Sequence, residues 1–304
     1  MRHLLEIDDL SPAELAEVLD LAEKPAPTGL LSHQGVGLIF EKPSLRTRNS
    51  CEAAIVALGG HPVAIFDNEI GLDKRESVED ITKVLAGYYS LLGARVFEHG
   101  KVERMAAVSK VPVINLLSDD AHPCQALADL LTIRQHFGSL QGHTLAWIGD
   151  YTNVARSLTL GAVMSGLSVR VACPPGYGPS EADLDHAATL SQHGATVTIC
   201  RRPEEAVHGA SAVSTDSYVS MGKEAEEAIR RQVFEGYQIT ESLMAAAVSD
   251  AVFLHCLPAH RGDEVSATVI DGPRSLVFSQ AHNRMHAFRG LVVWLLSDGH
   301  RGWR

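Results

Sequence analysis

"VGLIFEKPSLRTRNS", Val36–Ser50, decides how this sequence is read. Five apolar residues, too few for a helix, suit a buried strand. Pro43 then marks a turn, and Ser44 stands where the cap of a following helix belongs. Strand, short turn and helix make up the repeating unit of a parallel sheet. The start of this helix also carries Lys42, Arg46 and Arg48. A helix N-terminus exposes unpaired N–H groups and a partial positive charge, so it suits an anion and disfavours cations. A bound phosphate would offset the two arginines. A solvated, arginine-rich first turn fits the same residues.

The unit recurs along the chain. In the first half "HPVAIF" (61–66), "GARVF" (93–97) and "VPVINLL" (111–117) alternate with helical stretches near 44–58, 77–89, 101–109 and 122–137. The second half repeats the scheme with "HTLAWIG", "LSVRVACP", "ATVTIC", "SAVST" and "AVFLHC". Continuous apolar strands separated by helices predict an α/β protein whose parallel sheets are covered on both faces. A length of 304 residues suggests two domains. "HPCQALADLLTIRQHF" would join the halves, and a long helix is predicted from about Ala281 to Ser297. Near the start, Ser11, Pro12 and Glu14 spell a capping box with proline at the first helical position.

Composition narrows the function. A net charge of −11 leaves no basic field for nucleic acid or an anionic membrane. The five cysteines stand singly without a CxxC pair, which predicts a reduced protein with no disulfide framework and no zinc site. Acidic residues interrupt the N-terminal segment, unlike a signal peptide, and no apolar run reaches the ~20 residues of a membrane span. A soluble cytoplasmic protein is expected.

In doubly wound sheets, ligands lie beyond the carboxyl ends of the strands. In the first half those ends carry Ser44, Leu45, Arg46, Thr47, Arg95, His122 and Gln125. Arginine forks bind phosphate, while His and Gln can donate to a carbonyl oxygen, so the set suits a molecule with both groups. Taken singly, His122 also reads as a helix-start histidine and Arg95 as half of a structural ion pair. In the second half, Asn153, Asp216 and "SMG" (220–222) complement an amino acid, with Asp216 facing an ammonium group. A polar capped loop is the plain reading of "TDSYVSMG". Cys256 reads as a small core residue or as a nucleophile. His255 should point to the opposite face of its strand, which favours positioning or proton handling over covalent catalysis. "WIGDYTNVARS" resembles the first turn of a dinucleotide domain but lacks GxGxxG.

Together, SxRTR (44–48), HPCQ (122–125), DxxxSMG (216–222) and HCLP (255–258) resemble the aspartate/ornithine transcarbamylase family, on the acceptor side its ornithine-using members. The resemblance covers nearly the whole chain, in the family's motif order. It implies a carbamoyl-phosphate domain over 1–134, joined by a C-terminal helix (285–304) packing back on it, and an ornithine domain over 135–284. It implies a homotrimer or a multiple of it, sites at subunit interfaces, and no metal or organic cofactor. Residue by residue, Ser44, Leu45, Arg46, Thr47, Arg95, His122, Gln125, Cys256, Leu257 and Arg284 would contact carbamoyl phosphate. Asn153, Asp216, Ser220 and Met221 would contact ornithine. Arg46, His122, Asp216 and Cys256 would be catalytic.

Three features depart from the family pattern. Leu45 stands in place of a usual Thr, and Thr152 in place of a usual Asn. The 68–77 segment is long, with Lys74 placed like the mobile-loop lysine of the aspartate-specific relatives. The implied reaction is carbamoyl transfer to the δ-amine of ornithine, within arginine metabolism. Putrescine, an acylated ornithine or aspartate are the rival acceptors. A silent binding protein of this fold should have lost the phosphate-site Arg or His, and none is lost.

Overall fold

Several helices begin at a serine or threonine cap that the sequence supplies. The Ser11 hydroxyl accepts from the Glu14 N–H, and the Glu14 carboxylate accepts from the Ser11 N–H in return, opening the helix Pro12–Glu23. Ser44 caps Leu45–Ala57 and Ser77 caps Val78–Leu85 through the hydroxyl alone, which accepts from the N–H of Thr47 and of Asp80. The computed structural model describes residues 1–219 and 224–299.

The chain divides into two units, 1–131 with 282–304, and 132–281. The first holds four parallel strands: β1 (Gly35–Phe40), β2 (His61–Phe66), β3 (Leu91–Arg95) and β4 (Val113–Leu117), in the order β2-β1-β3-β4. The second holds β5 (Thr144–Ile148), β6 (Ser168–Ala172), β7 (Val197–Cys200), β8 (Ala212–Thr215) and β9 (Val252–His255), in the order β7-β6-β5-β8-β9. All six residues of β1 are buried, which is why that strand is apolar without alternation. The expected parallel α/β architecture is present.

Strand order places the sites. In the first sheet the chain leaves β1 for one side and returns on the other as β3, so the switch point lies between their carboxyl ends. In the second sheet the switch lies between β5 and β8. These ends carry Ser44–Thr47 and Arg95 in one unit, Asn153 and Asp216 in the other.

Two boundaries differ from expectation. The third strand covers Leu91–Arg95, two residues earlier than "GARVF", because the register shifts at Arg95 and the Phe97 N–H turns to the Glu41 carboxylate. The C-terminal helix covers Val277–Gly299, longer at both ends than expected. It packs back on the first unit: Arg289 caps the last carbonyls of Pro12–Glu23, donating to Ala22 and Lys24. No described helix is long and apolar enough to cross a membrane.

Candidate active site

In the first unit the cluster is built around Thr47. Ser44 accepts from the Thr47 N–H at 3.2 Å, which turns the first helical residues toward the β1–β3 switch point. The buried Thr47 hydroxyl accepts from Arg284 Nη2 at 2.9 Å and from Arg95 Nη1 at 3.3 Å. Arg284 Nη1 also donates to Gln125 Oε1 and lies 3.0 Å from His122 Nε2. A guanidinium can only donate, so Nε2 is the accepting nitrogen and the imidazole proton sits on Nδ1. Burial, then the charges of Arg284 and Arg95, hold the His122 pKa well below its ordinary value. His122 is a neutral donor among cations. A buried arginine, a half-buried one and a buried neutral imidazole suit a phosphate bearing a carbonyl.

The structure thus brings Ser44, Thr47, Arg95, His122, Gln125 and Arg284 together. Arg46 lies half-buried in the first turn of the same helix, less exposed than a solvated turn would leave it. Leu45 is 75% exposed. Arg48 follows the plain reading: it pairs with Glu52 at 2.7 Å and lies over the Phe66 ring. Asp129, which the sequence reading passed over, accepts from Gln125 Nε2 at 2.8 Å and orients that amide. Its spacing, one helical turn after Gln125, was the available signal.

Lys74 is 76% exposed and lies 3.4 Å from Asp67. The loop behind it is pinned: the Arg104 guanidinium donates to both Asp73 oxygens and to Glu79, and Leu72 is buried.

In the second unit Asn153 opens the helix Asn153–Met164. Asp216, half-buried just after β8, accepts from the Ser217 N–H at 2.7 Å and from the Cys256 thiol at 3.1 Å. Ser220 and Met221, with Gly222 and Lys223, lie outside the described residues. His255 departs from expectation. Its ring lies on the same side as Cys256, with a carboxylate oxygen of Asp216, a ring nitrogen of His255 and the Cys256 sulfur all within 4.8 Å of one another. Alternation holds only inside a strand; β9 ends at His255, and the half-buried Leu257 already has a φ of 59°. The Leu257 N–H donates to His255 Nδ1 at 2.9 Å, leaving the proton on Nε2, which faces the fully buried Glu264 at 3.2 Å. Glu264 carried no sequence signal.

A family model described as the carbamoyl-P binding domain of aspartate/ornithine carbamoyltransferase matches residues 2–135, and one described as its Asp/Orn binding domain matches 141–295. The chain belongs to the aspartate/ornithine carbamoyltransferase family. Members of this family named ornithine carbamoyltransferase include one from Clavibacter sepedonicus, 49% identical over 97% of this chain and 98% of its own. Another, from Acidothermus cellulolyticus, is 45% identical over 99% of both chains. Among solved structures, ornithine carbamoyltransferase from Pyrococcus furiosus is 39% identical, covers 97% of each chain, and has a TM-score of 0.93. A family structure described as N-acetyl-L-ornithine transcarbamylase is 29% identical over 97% of this chain and all of its own, with a TM-score of 0.86. The shared fold therefore does not choose the acceptor.

Proposed function

We propose that this protein transfers the carbamoyl group of carbamoyl phosphate to the δ-amine of L-ornithine, giving L-citrulline and phosphate. The observation that carries the reading is the buried fork of Arg284 on Thr47, Gln125 and His122, beside Arg95. Ser44, Thr47, Arg95 and Arg284 hold the phosphate, with the Leu45 N–H at the helix start. Gln125 keeps one N–H beyond the one given to Asp129 and offers it to the carbamoyl group.

The neutral δ-amine attacks the carbamoyl carbon, and negative charge grows on the carbonyl oxygen before phosphate leaves. Arg46 and the Nδ1–H of His122 stabilise that charge; one preorganised donor is typically worth ~3–4 kcal/mol. A neutral imidazole suits this task, since it donates without adding a third cation to the half-buried Arg95 and the buried Arg284.

Asp216 and Asn153 receive the amino-acid head group. The free α-amino acid that they imply favours ornithine over putrescine or an N-acylated acceptor. Cys256 and Leu257 lie beside the reacting amine. The Cys256 thiol donates to Asp216, and in this reading it positions the amine and does not attack.

The working assembly in this reading is a homotrimer or a multiple of it, in the cytoplasm, serving arginine metabolism. Lys74, exposed on a pinned loop, reaches a neighbouring subunit's phosphate site. The test is ureido-product formation from carbamoyl phosphate across ornithine, N-acetylornithine, putrescine, lysine and aspartate. L-ornithine should give the highest kcat/KM; a higher value for another amine would reassign the acceptor while leaving the reaction class.

A further inference from the structure

Glu41 and Lys101 form a nearly buried ion pair that no step of this mechanism uses. Lys101 Nζ lies 2.6 Å from Glu41 Oε1, with side chains 10% and 3% exposed. Glu41 holds together the two segments that grip phosphate. Its N–H donates to the Arg95 carbonyl at 2.9 Å, and its carboxylate accepts from the Phe97 N–H at 2.8 Å. It therefore ties the turn after β3 to the end of β1, three residues before Ser44. Arg95, the last residue of β3, keeps its 3.3 Å contact with Thr47. The tie has an electrostatic cost. An ionised carboxylate beside a phosphate site repels a phosphate group, and low local dielectric strengthens the repulsion.

We propose that Lys101 is a positioning residue for the phosphate site: it neutralises Glu41, so that the tie holding Arg95 does not repel the bound phosphate. The inference rests on the carbamoyl-phosphate reading of the first unit and adds a residue outside the family motifs quoted above. Two neighbours complete the local charge pattern. Lys42 lies 4.2 Å from the centre of the Phe97 ring, and Asp119 accepts from the His99 N–H at 2.7 Å. Lys42 also feels the charges of Glu41, Asp119 and Arg95, while Lys101 makes the close contact with the Glu41 carboxylate.

The sign of the effect separates this role from plain stabilisation. Lys101→Met leaves Glu41 unpaired. It should weaken binding of carbamoyl phosphate and of inorganic phosphate by about tenfold or more, with KM for ornithine moving less than about twofold. Glu41→Gln keeps an acceptor for the Phe97 N–H while removing the charge. The double variant Glu41→Gln/Lys101→Met should therefore recover most of the lost phosphate affinity, and Lys101→Arg should never lose it. Calorimetric titration of the whole protein with phosphate and with carbamoyl phosphate reads each arm. Unchanged affinity in Lys101→Met, or a double variant as weak as the single, would overturn the proposal. If Lys101→Met does not fold, Glu41→Gln alone decides: phosphate affinity equal to or tighter than wild type supports the proposal, and a tenfold loss overturns it. Wild-type protein that binds neither ligand would instead remove the carbamoyl-phosphate reading itself.

Discussion

Arg284 donates to Nε2 of His122 at 3.0 Å, and this contact places the imidazole proton on Nδ1. The same guanidinium holds Thr47 and Gln125. One side chain thereby sets the tautomer and the amide of the 122–125 segment and the helix-start hydroxyl of the 44–47 segment.

His122 should make stability depend on pH. Its folded pKa is depressed, so below the ordinary imidazole value of 6.5 the unfolded chain takes up a proton that the folded chain refuses. Its contribution is whole above that value and shrinks as pH falls toward the folded pKa. The slope cannot exceed about 1.4 kcal/mol per pH unit for one proton. Denaturant unfolding between pH 7 and 5 should show a steeper loss for wild type than for His122→Gln. Parallel curves would contradict the buried neutral imidazole.

Arg284→Lys keeps the charge but cannot fork onto three acceptors. Turnover at saturating ornithine should give kcat/KM for carbamoyl phosphate lower by a factor on the order of 10²–10³. A variant within a few-fold of wild type would mean that the cluster is structural.

Cys256→Ala and Asp216→Asn should behave differently. If the thiol only positions the amine, Cys256→Ala keeps measurable turnover, and intact-mass spectrometry of working enzyme finds no carbamoylated Cys256. Asp216→Asn removes both the ammonium partner and the charged acceptor of the thiol, so KM for ornithine should rise at least tenfold, in line with a lost charged contact. A trapped adduct on Cys256 would replace positioning with covalent catalysis.

Gly290 tests the return of the C-terminal helix. A Cβ there would meet the Ala22 nitrogen at 2.6 Å and the Val18 carbonyl oxygen at 2.7 Å, both backbone atoms that cannot swing aside. Gly290→Ala should destabilise by about 1–3 kcal/mol. Thermal unfolding unchanged from wild type would show that these two helices separate freely.

The alternation of strands and helices, their caps and the candidate residues at strand ends were legible in the sequence. Each of those signals is local: Ser11 with Glu14, or Ser44 with Thr47, makes its bond within one helical turn. Strand order, and with it the two switch points, was decided by packing, because parallel partners are joined by crossovers and the pairing sequence is not written in any one segment. The partners of Arg284 belong to the same class. Thr47 and Gln125 are remote in the chain, and a guanidinium acts over 3 Å whatever the separation in sequence. His255 shows the limit of periodicity most directly. Alternation assigned its ring to the face opposite Cys256, whereas the end of β9 and the left-handed backbone at Leu257 turned both side chains toward Asp216. Only the folded chain could bring Glu264 beneath that ring, since a buried carboxylate finds its partner by tertiary packing and leaves no spacing to read.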